Sequence, residues 1–152
     1  MADVSRSRTL AASPESIWEV LANFGALSTW AEGIDHSCVI DTGEDTDPIG
    51  MTRRVQVGRD TLVETITAFA PPRILAYDIS GVPPMLSASN RWNLAPDGDG
   101  RTTVTLTSTV WMQPHPLRPI IERLAARFFA KRSEPLLDSL ARYIQRTTRE
   151  DR

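Results

Sequence analysis

The sequence is poor in cysteine and has no long apolar run. Cys38 is the single cysteine among 152 residues, so the chain alone can form neither a disulfide nor a thiolate metal site. No stretch reaches the roughly 20 apolar residues of a membrane-spanning helix, and the N-terminal residues lack the apolar core of a signal peptide. We therefore expect a soluble, cytoplasmic protein.

Excess charge and catalytic signatures are also missing. Seventeen basic and nineteen acidic side chains give a formal net charge of −2, whereas a nucleic-acid-binding domain usually carries a basic stripe. The chain contains no phosphate-binding loop, no dinucleotide-binding glycine motif and no nucleophile elbow. Its two histidines, His36 and His115, lack the spacing of metal ligands. These absences predict no nucleic-acid partner, no metal and no cofactor.

The composition that is present fits one globular domain. Hydrophobic residues make up 41% of the chain and charged residues 24%, which is near the average for folded domains. No composition shift marks a linker, and no internal repeat is visible. We expect a single domain over residues 1–147, followed by a polar tail over residues 148–152.

The order of periodicities predicts an α+β fold. Residues 2–10 alternate as a strand does, and Ser13 and Pro14 suit the N-cap and first turn of a helix that Gly25 ends. A second short helical turn follows. Between residues 34 and 112, about six strand-like runs are joined by short links containing Gly, Pro and Asp, as in antiparallel meanders.

Helical spacing then returns and predicts one long amphipathic helix at the C-terminus. Pro135 should kink or divide it, because proline lacks the backbone N–H, and Ser133 is placed to cap a restarted segment. This helix is the only element able to cover a sheet of that size, so a gap between sheet and helix is expected. The apolar stripe consists of Ile120, Ile121, Leu124, Phe128, Leu136, Leu137, Leu140 and Ile144.

Three segments resemble the SRPBCC superfamily. They are "SPESIWEVLANFGALSTW", "IGMTRRVQVGRDTLVETITAFAPPRILAYDIS" and "DGDGRTTVTLTSTVWM". This superfamily includes START lipid-transfer domains, the birch-pollen-allergen group and aromatic polyketide cyclases, and the chain is most similar to the polyketide cyclase/dehydrase-like branch. The resemblance implies a helix-grip fold, in which a curved antiparallel sheet of about seven strands surrounds a long C-terminal helix. Two short helices would follow the first strand.

Strand alternation predicts which side chains line the gap, since side-chain direction repeats every two residues. Glu64 shares a phase with Leu62 and Ile66, whereas Trp111 has the opposite phase and should face outward. The inward set is mainly apolar with a few polar groups, as is typical of small-molecule sites. We expect ligand-binding roles for Leu27, Trp30, Leu62, Glu64, Ile66, Tyr77, Asn90, Trp92, Ser108, Val110, Met112, Ile121, Leu124 and Phe128.

Glu64 is the exceptional member of this set, because a carboxylate on an apolar strand face is costly. The sequence leaves three explanations open. Glu64 pairs with Arg53 or Arg91 on a neighbouring strand, contacts a ligand, or acts as a catalytic acid or base.

The first functional hypothesis is a protein that binds a hydrophobic small molecule, such as a lipid, a polyketide or another flat apolar compound. The alternative is a polyketide cyclase/dehydratase-type enzyme that uses Glu64 and Tyr77 as the acid/base and carbonyl-polarising groups.

The sequence leaves open whether the protein is a monomer or a dimer. The loops Gly81–Pro84 and 113–119 are expected to gate the cavity. The C-terminal arginines form either a solvated helix face or a contact for an anionic partner or membrane: Arg118, Arg123, Arg127, Arg132 and Arg142.

Overall fold

The computed structural model describes residues 2–44, 47–81 and 85–151, and its elements follow the predicted order. The strands are β1 (Ala2–Leu10), β2 (His36–Asp41), β3 (Thr52–Val57), β4 (Asp60–Ala70), β5 (Ile74–Ser80), β6 (Leu86–Pro96) and β7 (Thr102–Met112). The helices are α1 (Pro14–Ala22), a 3₁₀ helix (Phe24–Thr29) and α2 (Arg118–Glu150).

All seven strands form one antiparallel sheet in the order β1-β7-β6-β5-β4-β3-β2. Strands β2 to β7 pair with their sequence neighbours as a meander, and β1 pairs with β7 at the far edge. The sheet curves around α2, which packs mainly against β1 and β7. The predicted α+β helix-grip architecture is confirmed.

Strand β7 illustrates how alternation separates the two faces of the sheet. Val104 and Val110 are almost fully buried on the inner face. On the outer face, the hydroxyl of Thr107 is hydrogen bonded to that of Ser5 on β1 at 2.8 Å. Trp111 is 42% exposed, as its phase predicted. The sheet therefore has one apolar face for the core and one polar face for solvent.

Helix α1 begins as predicted and ends slightly earlier. The Ser13 hydroxyl accepts a hydrogen bond from the Ser16 backbone N–H at 3.2 Å, which satisfies one of the free donors of the first turn. The helix ends at Ala22, and Gly25 lies inside the following 3₁₀ helix instead of terminating α1. A Cβ on Gly25 would lie 2.8 Å from Cγ2 of Val39, so the glycine permits close packing of this segment on β2.

Helix α2 is not divided in its middle and reaches further than the predicted end of the domain. It continues across Pro135 as one element, so the predicted division is wrong and a kink there stays a prediction. Ser133 caps nothing, since its hydroxyl donates to the carbonyl of Phe129 at 2.9 Å, one turn earlier in the same helix. The helix extends to Glu150, so the predicted tail 148–152 is helical over most of its length.

None of the described helices is long and apolar enough to cross a membrane. Two loops were expected to gate the cavity. Residues 82–84 of the first expected gating loop lie outside the described residues, so gating stays a prediction. In the second loop, His115 is exposed and its Nδ1 accepts a hydrogen bond from the Leu117 N–H at 3.1 Å.

Candidate functional site

A cavity of about 510 Å³ lies between the inner face of the sheet and the middle of α2. Its volume falls within the roughly 300–1,000 Å³ usual for small-molecule sites. Strands β3 and β4, the segment after the 3₁₀ helix and α2 supply most of its wall. The apolar lining residues are Leu27, Ile34, Val55, Val57, Leu62, Ile79, Phe128, Phe129, Pro135 and Leu136.

Charged side chains mark the opening of this cavity. Glu32, Asp60 and Lys131 line it and are exposed to solvent. Phe128 also lines it, although half of its surface is exposed. The guanidinium of Arg132 lies 4.3 Å from the centroid of the Phe128 ring. The entrance is therefore formed in part by α2, with an aromatic ring and cations at its edge.

Buried polar side chains converge on the opposite part of the wall. The hydroxyl oxygen of Tyr77 accepts hydrogen bonds from Asn90 Nδ2 at 3.3 Å and from Trp92 Nε1 at 3.2 Å. The Ser108 hydroxyl donates to Asn90 Oδ1 at 2.6 Å. Because the Tyr77 oxygen already accepts from two donors, its own proton can be donated to a further acceptor. We call Tyr77, Asn90 and Ser108 the polar cluster.

Burial also fixes the protonation state of this phenol. Loss of solvent raises the pKa of Tyr77, and the nearby Glu64 carboxylate raises it further, while Arg53 acts in the opposite direction. The hydroxyl therefore stays protonated at neutral pH and serves as a hydrogen-bond donor.

Glu64 lies beside the polar cluster and forms a buried ion pair with Arg53. Nε and one terminal nitrogen of Arg53 contact Oε1 of Glu64 at 2.7 and 2.6 Å. A second terminal nitrogen donates to the Phe24 carbonyl at 2.9 Å, and the guanidinium carbon lies 3.8 Å from the centroid of the Phe24 ring. These contacts account for a carboxylate on an apolar strand face. Arg91, the other candidate partner, is exposed.

The ion pair does not remove Glu64 from the cavity, because Glu64 is also part of the cavity wall. Both guanidinium contacts use Oε1, which leaves Oε2 able to accept another hydrogen bond. Within the described residues, no cluster of three or more His, Cys, Asp or Glu side chains is placed to hold a metal ion.

The structure brings about half of the predicted ligand-binding residues to the cavity wall. These are Leu27, Leu62, Glu64, Tyr77, Asn90, Ser108 and Phe128. Trp30 and Trp92 instead pack edge to face, with ring centroids 6.3 Å apart, and border a separate void of about 10 Å³. Ile66, Val110 and Met112 are buried but do not line the cavity. The inner face of the sheet is longer than the cavity, so an inward phase alone does not place a residue there.

Two helix residues differ more clearly from the prediction. Leu124 is 60% exposed, and Ile121 is partly buried without lining the cavity. The sequence carries two apolar sides on this helix, and the structure turns the one that contains Phe129 inward. The prediction thus missed Phe129 and Leu136 as cavity residues on this helix.

The architecture and cavity are those of the helix-grip class. Over residues 1–145, the chain matches the family described as polyketide cyclase / dehydrase and lipid transport. The protein therefore belongs to this family, in agreement with its resemblance to the SRPBCC superfamily. No curated protein matches the sequence significantly.

Solved structures show the same fold at low sequence identity. XoxI from Bacillus cereus is 19% identical, with a TM-score of 0.76 over 95% of this chain and 96% of that chain. The ZhuI aromatase/cyclase from Streptomyces sp. R1128 is 18% identical, with a TM-score of 0.78 over 97% and 95%. A START superfamily protein from Mycobacterium smegmatis is 18% identical, with a TM-score of 0.72 over 95% and 98%.

Proposed function

We propose that this protein binds a largely apolar small molecule, such as a lipid or a polyketide, with a polar acceptor group at one end. The observation that carries the proposal is the convergence of the polar cluster and Glu64 on one buried part of a cavity that has apolar walls and keeps its other charged side chains at the opening. Apolar walls supply affinity in such sites, and a few polar groups fix orientation. The Tyr77 hydroxyl, whose proton is available, would donate to a carbonyl or hydroxyl oxygen of the ligand.

The expected orientation follows from the charge distribution. The buried end of the cavity offers hydrogen bonds, and the entrance offers the Phe128 ring and exposed charges. A ligand with an oxygen at one end and an apolar body would place the oxygen at Tyr77 and its body between Leu62 and Leu136. The family description, which includes lipid transport, supports this class of ligand.

A titration with a fluorescent naphthalene dye, followed by competition with a fatty acid, tests the proposal. Val57→Trp fills part of the cavity, because Val57 is in its wall, and should weaken dye binding at least roughly tenfold. Gln56→Trp is the matched control, since the neighbouring residue on the same strand faces the other way. Equal affinities for the two variants would contradict binding in this cavity.

A second candidate is an aldol-type cyclase, and one observation favours it. Ile66 pairs with Tyr77 and Glu64 pairs with Ile79, so Glu64 and Tyr77 are diagonal neighbours on one face of β4 and β5. The Glu64 carboxylate would take a proton from the carbon next to a ketone, and the resulting enolate would attack a second carbonyl. Tyr77 would stabilise the alkoxide that forms, and the proton on Glu64 would return to that oxygen.

Turnover of a poly-β-ketone analogue distinguishes the enzyme from the binding protein. If the chain is a cyclase, Glu64→Gln should lose turnover by roughly 100-fold or more. Because the variant also leaves Arg53 without its charged partner, turnover is compared under conditions in which circular dichroism and dye binding show that the variant is folded. Absence of turnover by the unmodified protein would remove this candidate and leave the binding proposal intact.

A further inference from the structure

Four large apolar side chains face solvent, one on the residue that precedes α2 and three on the N-terminal part of that helix. Leu117, Ile120, Leu124 and Phe128 are 52%, 58%, 60% and 50% exposed. With 3.6 residues per turn, their spacing of three and four places them along one side of the helix. The buried residues of the same segment lie on roughly the opposite side. We call these four residues the apolar stripe.

Positive charge accompanies the apolar stripe. Residues 118–132 contain five arginine or lysine residues and one carboxylate, and that carboxylate, Glu122, is buried. Arg123, Arg127 and Lys131 follow the same spacing along the edge of the stripe. Among the described residues, none of these three cations forms an ion pair with a carboxylate. The segment therefore presents apolar groups and uncompensated positive charge on one side.

We propose that this side of α2 docks on an anionic lipid surface. Helices with an apolar side bordered by Lys and Arg lie in the headgroup region of anionic bilayers, where both features are satisfied at once. A second copy of the chain would cover the stripe but bring like charges together. An acidic protein surface would pair with the cations without accounting for four large side chains kept in water.

The position of the stripe agrees with this choice of partner. Phe128 belongs both to the stripe and to the cavity wall, and Lys131 and Arg132 continue from it along the entrance. A helix docked through the stripe would hold the entrance at the lipid surface. An apolar molecule could then pass between bilayer and cavity with little exposure to water. The docking itself does not depend on the identity of the cavity ligand.

Vesicle flotation tests the docking. The full chain should float with vesicles of equal parts phosphatidylglycerol and phosphatidylcholine, and much less with phosphatidylcholine alone. Ile120→Ser/Leu124→Ser should lower the partition coefficient roughly tenfold or more. Arg123→Glu/Arg127→Glu should lower it by about 25-fold or more on the anionic vesicles, since each cation near such a surface contributes about fivefold.

The matched control is Ile40→Ser/Ile49→Ser, which removes two isoleucines that are 54% and 48% exposed elsewhere. It should bind vesicles as the unmodified protein does. Circular dichroism and dye binding in solution should be unchanged in all three variants. No flotation with anionic vesicles, or equal losses in stripe and control variants, would overturn the proposal. A dimer, detected by light scattering, that only the stripe variant dissociates would also overturn the proposal. Binding to polyglutamate that needs the arginines but not the stripe would instead assign an acidic protein partner.

Discussion

Arg53 lies directly opposite Glu64 on the neighbouring strand, and two of its nitrogens contact one carboxylate oxygen at 2.7 and 2.6 Å. Both side chains are buried, with 4% and 5% of their surfaces exposed. Each ion loses hydration on folding, and the other ion, nearby polar groups and, for Arg53, the Phe24 ring replace part of that hydration. Removal of one partner should therefore harm the protein more than removal of both.

Glu64→Ala should lower the free energy of unfolding by about 3–5 kcal/mol, because it leaves Arg53 charged and buried without a partner. The double variant Arg53→Met/Glu64→Leu should be markedly more stable than Glu64→Ala. Urea denaturation of both measures the difference. Arg142→Ala is the control, since its ion pair with Glu32 is exposed and should contribute about 1 kcal/mol or less. A Glu64→Ala protein as stable as this control would contradict the argument.

Tyr77→Phe should lower the free energy of unfolding by about 1–3 kcal/mol, because it removes the acceptor of two buried donors. The donors are Asn90 Nδ2 and Trp92 Nε1. The same variant should bind an oxygen-containing ligand more weakly while it keeps its affinity for a pure hydrocarbon. A uniform loss for both ligands would indicate a distorted cavity and not a missing hydrogen bond.

The stability of the protein should also fall at alkaline pH through Tyr77. Burial raises the pKa of Tyr77 above the ordinary value of 10.0. As pH rises past that ordinary value, the unfolded chain releases the phenolic proton while the folded chain retains it, which favours unfolding. Urea denaturation at several pH values above about 10 should give a steeper decline for the unmodified protein than for Tyr77→Phe. Tyr143→Phe removes the other tyrosine, and an equal effect in that variant would refute the assignment to Tyr77.

Substitutions at two glycines allow the cost of backbone strain to be measured separately from the cost of steric overlap. Gly81 has a φ of +95°, and a Cβ there would lie 2.5 Å from the Thr61 carbonyl oxygen; Gly98 has a φ of +64° and no atom within 4 Å of the same point. Gly98→Ala should cost about 1–2 kcal/mol, the usual penalty of the left-handed conformation. Gly81→Ala should cost clearly more, since the β4 backbone must also move. Thermal unfolding of the two variants provides the comparison, and equal costs would exclude the overlap.

The N-cap of α1 offers a local test of helix stability. Ser13→Ala should lower the free energy of unfolding by about 1 kcal/mol, because the N–H of Ser16 loses its acceptor. Ser87→Ala, at an exposed strand position, should change stability by roughly 0.5 kcal/mol or less. Chemical denaturation of both proteins checks the difference. Restoration by Ser13→Asp, which also caps helices, would identify the capping bond as the cause.

Much of the fold could be predicted because each local pattern agrees with the final structure. Alternation identified the strands, and the cap at Ser13 identified the start of α1. The partner of Glu64 could also have been identified from the sequence. The hairpin between β3 and β4 pairs Val57 with Asp60 across a two-residue turn, and the same register places Arg53 opposite Glu64. Arg91, two strands away from β4 in the sheet, has no such relation.

The rotation of α2 could not be predicted in the same way. Its N-terminal part has apolar residues on two sides, one containing Phe129 and the other containing Leu124. Periodicity gives the angle between those sides but does not say which meets the sheet. The extent of the cavity could not be predicted either. Trp30 and Trp92, which are distant in the sequence, pack against each other and occupy space that the alternation pattern assigned to the cavity wall.

Pro135 has a consequence for how the two ends of α2 are connected. It cannot supply the N–H that would bind the carbonyl of Lys131, so the backbone ladder lacks one link at that point. Phe128, Lys131 and Arg132 at the cavity entrance precede this gap, whereas Leu137, Leu140 and Ile144, which are buried in the core, follow it. A force on the N-terminal part of α2 should therefore displace the residues at the cavity entrance first. The C-terminal part, which is anchored in the core, should move much less.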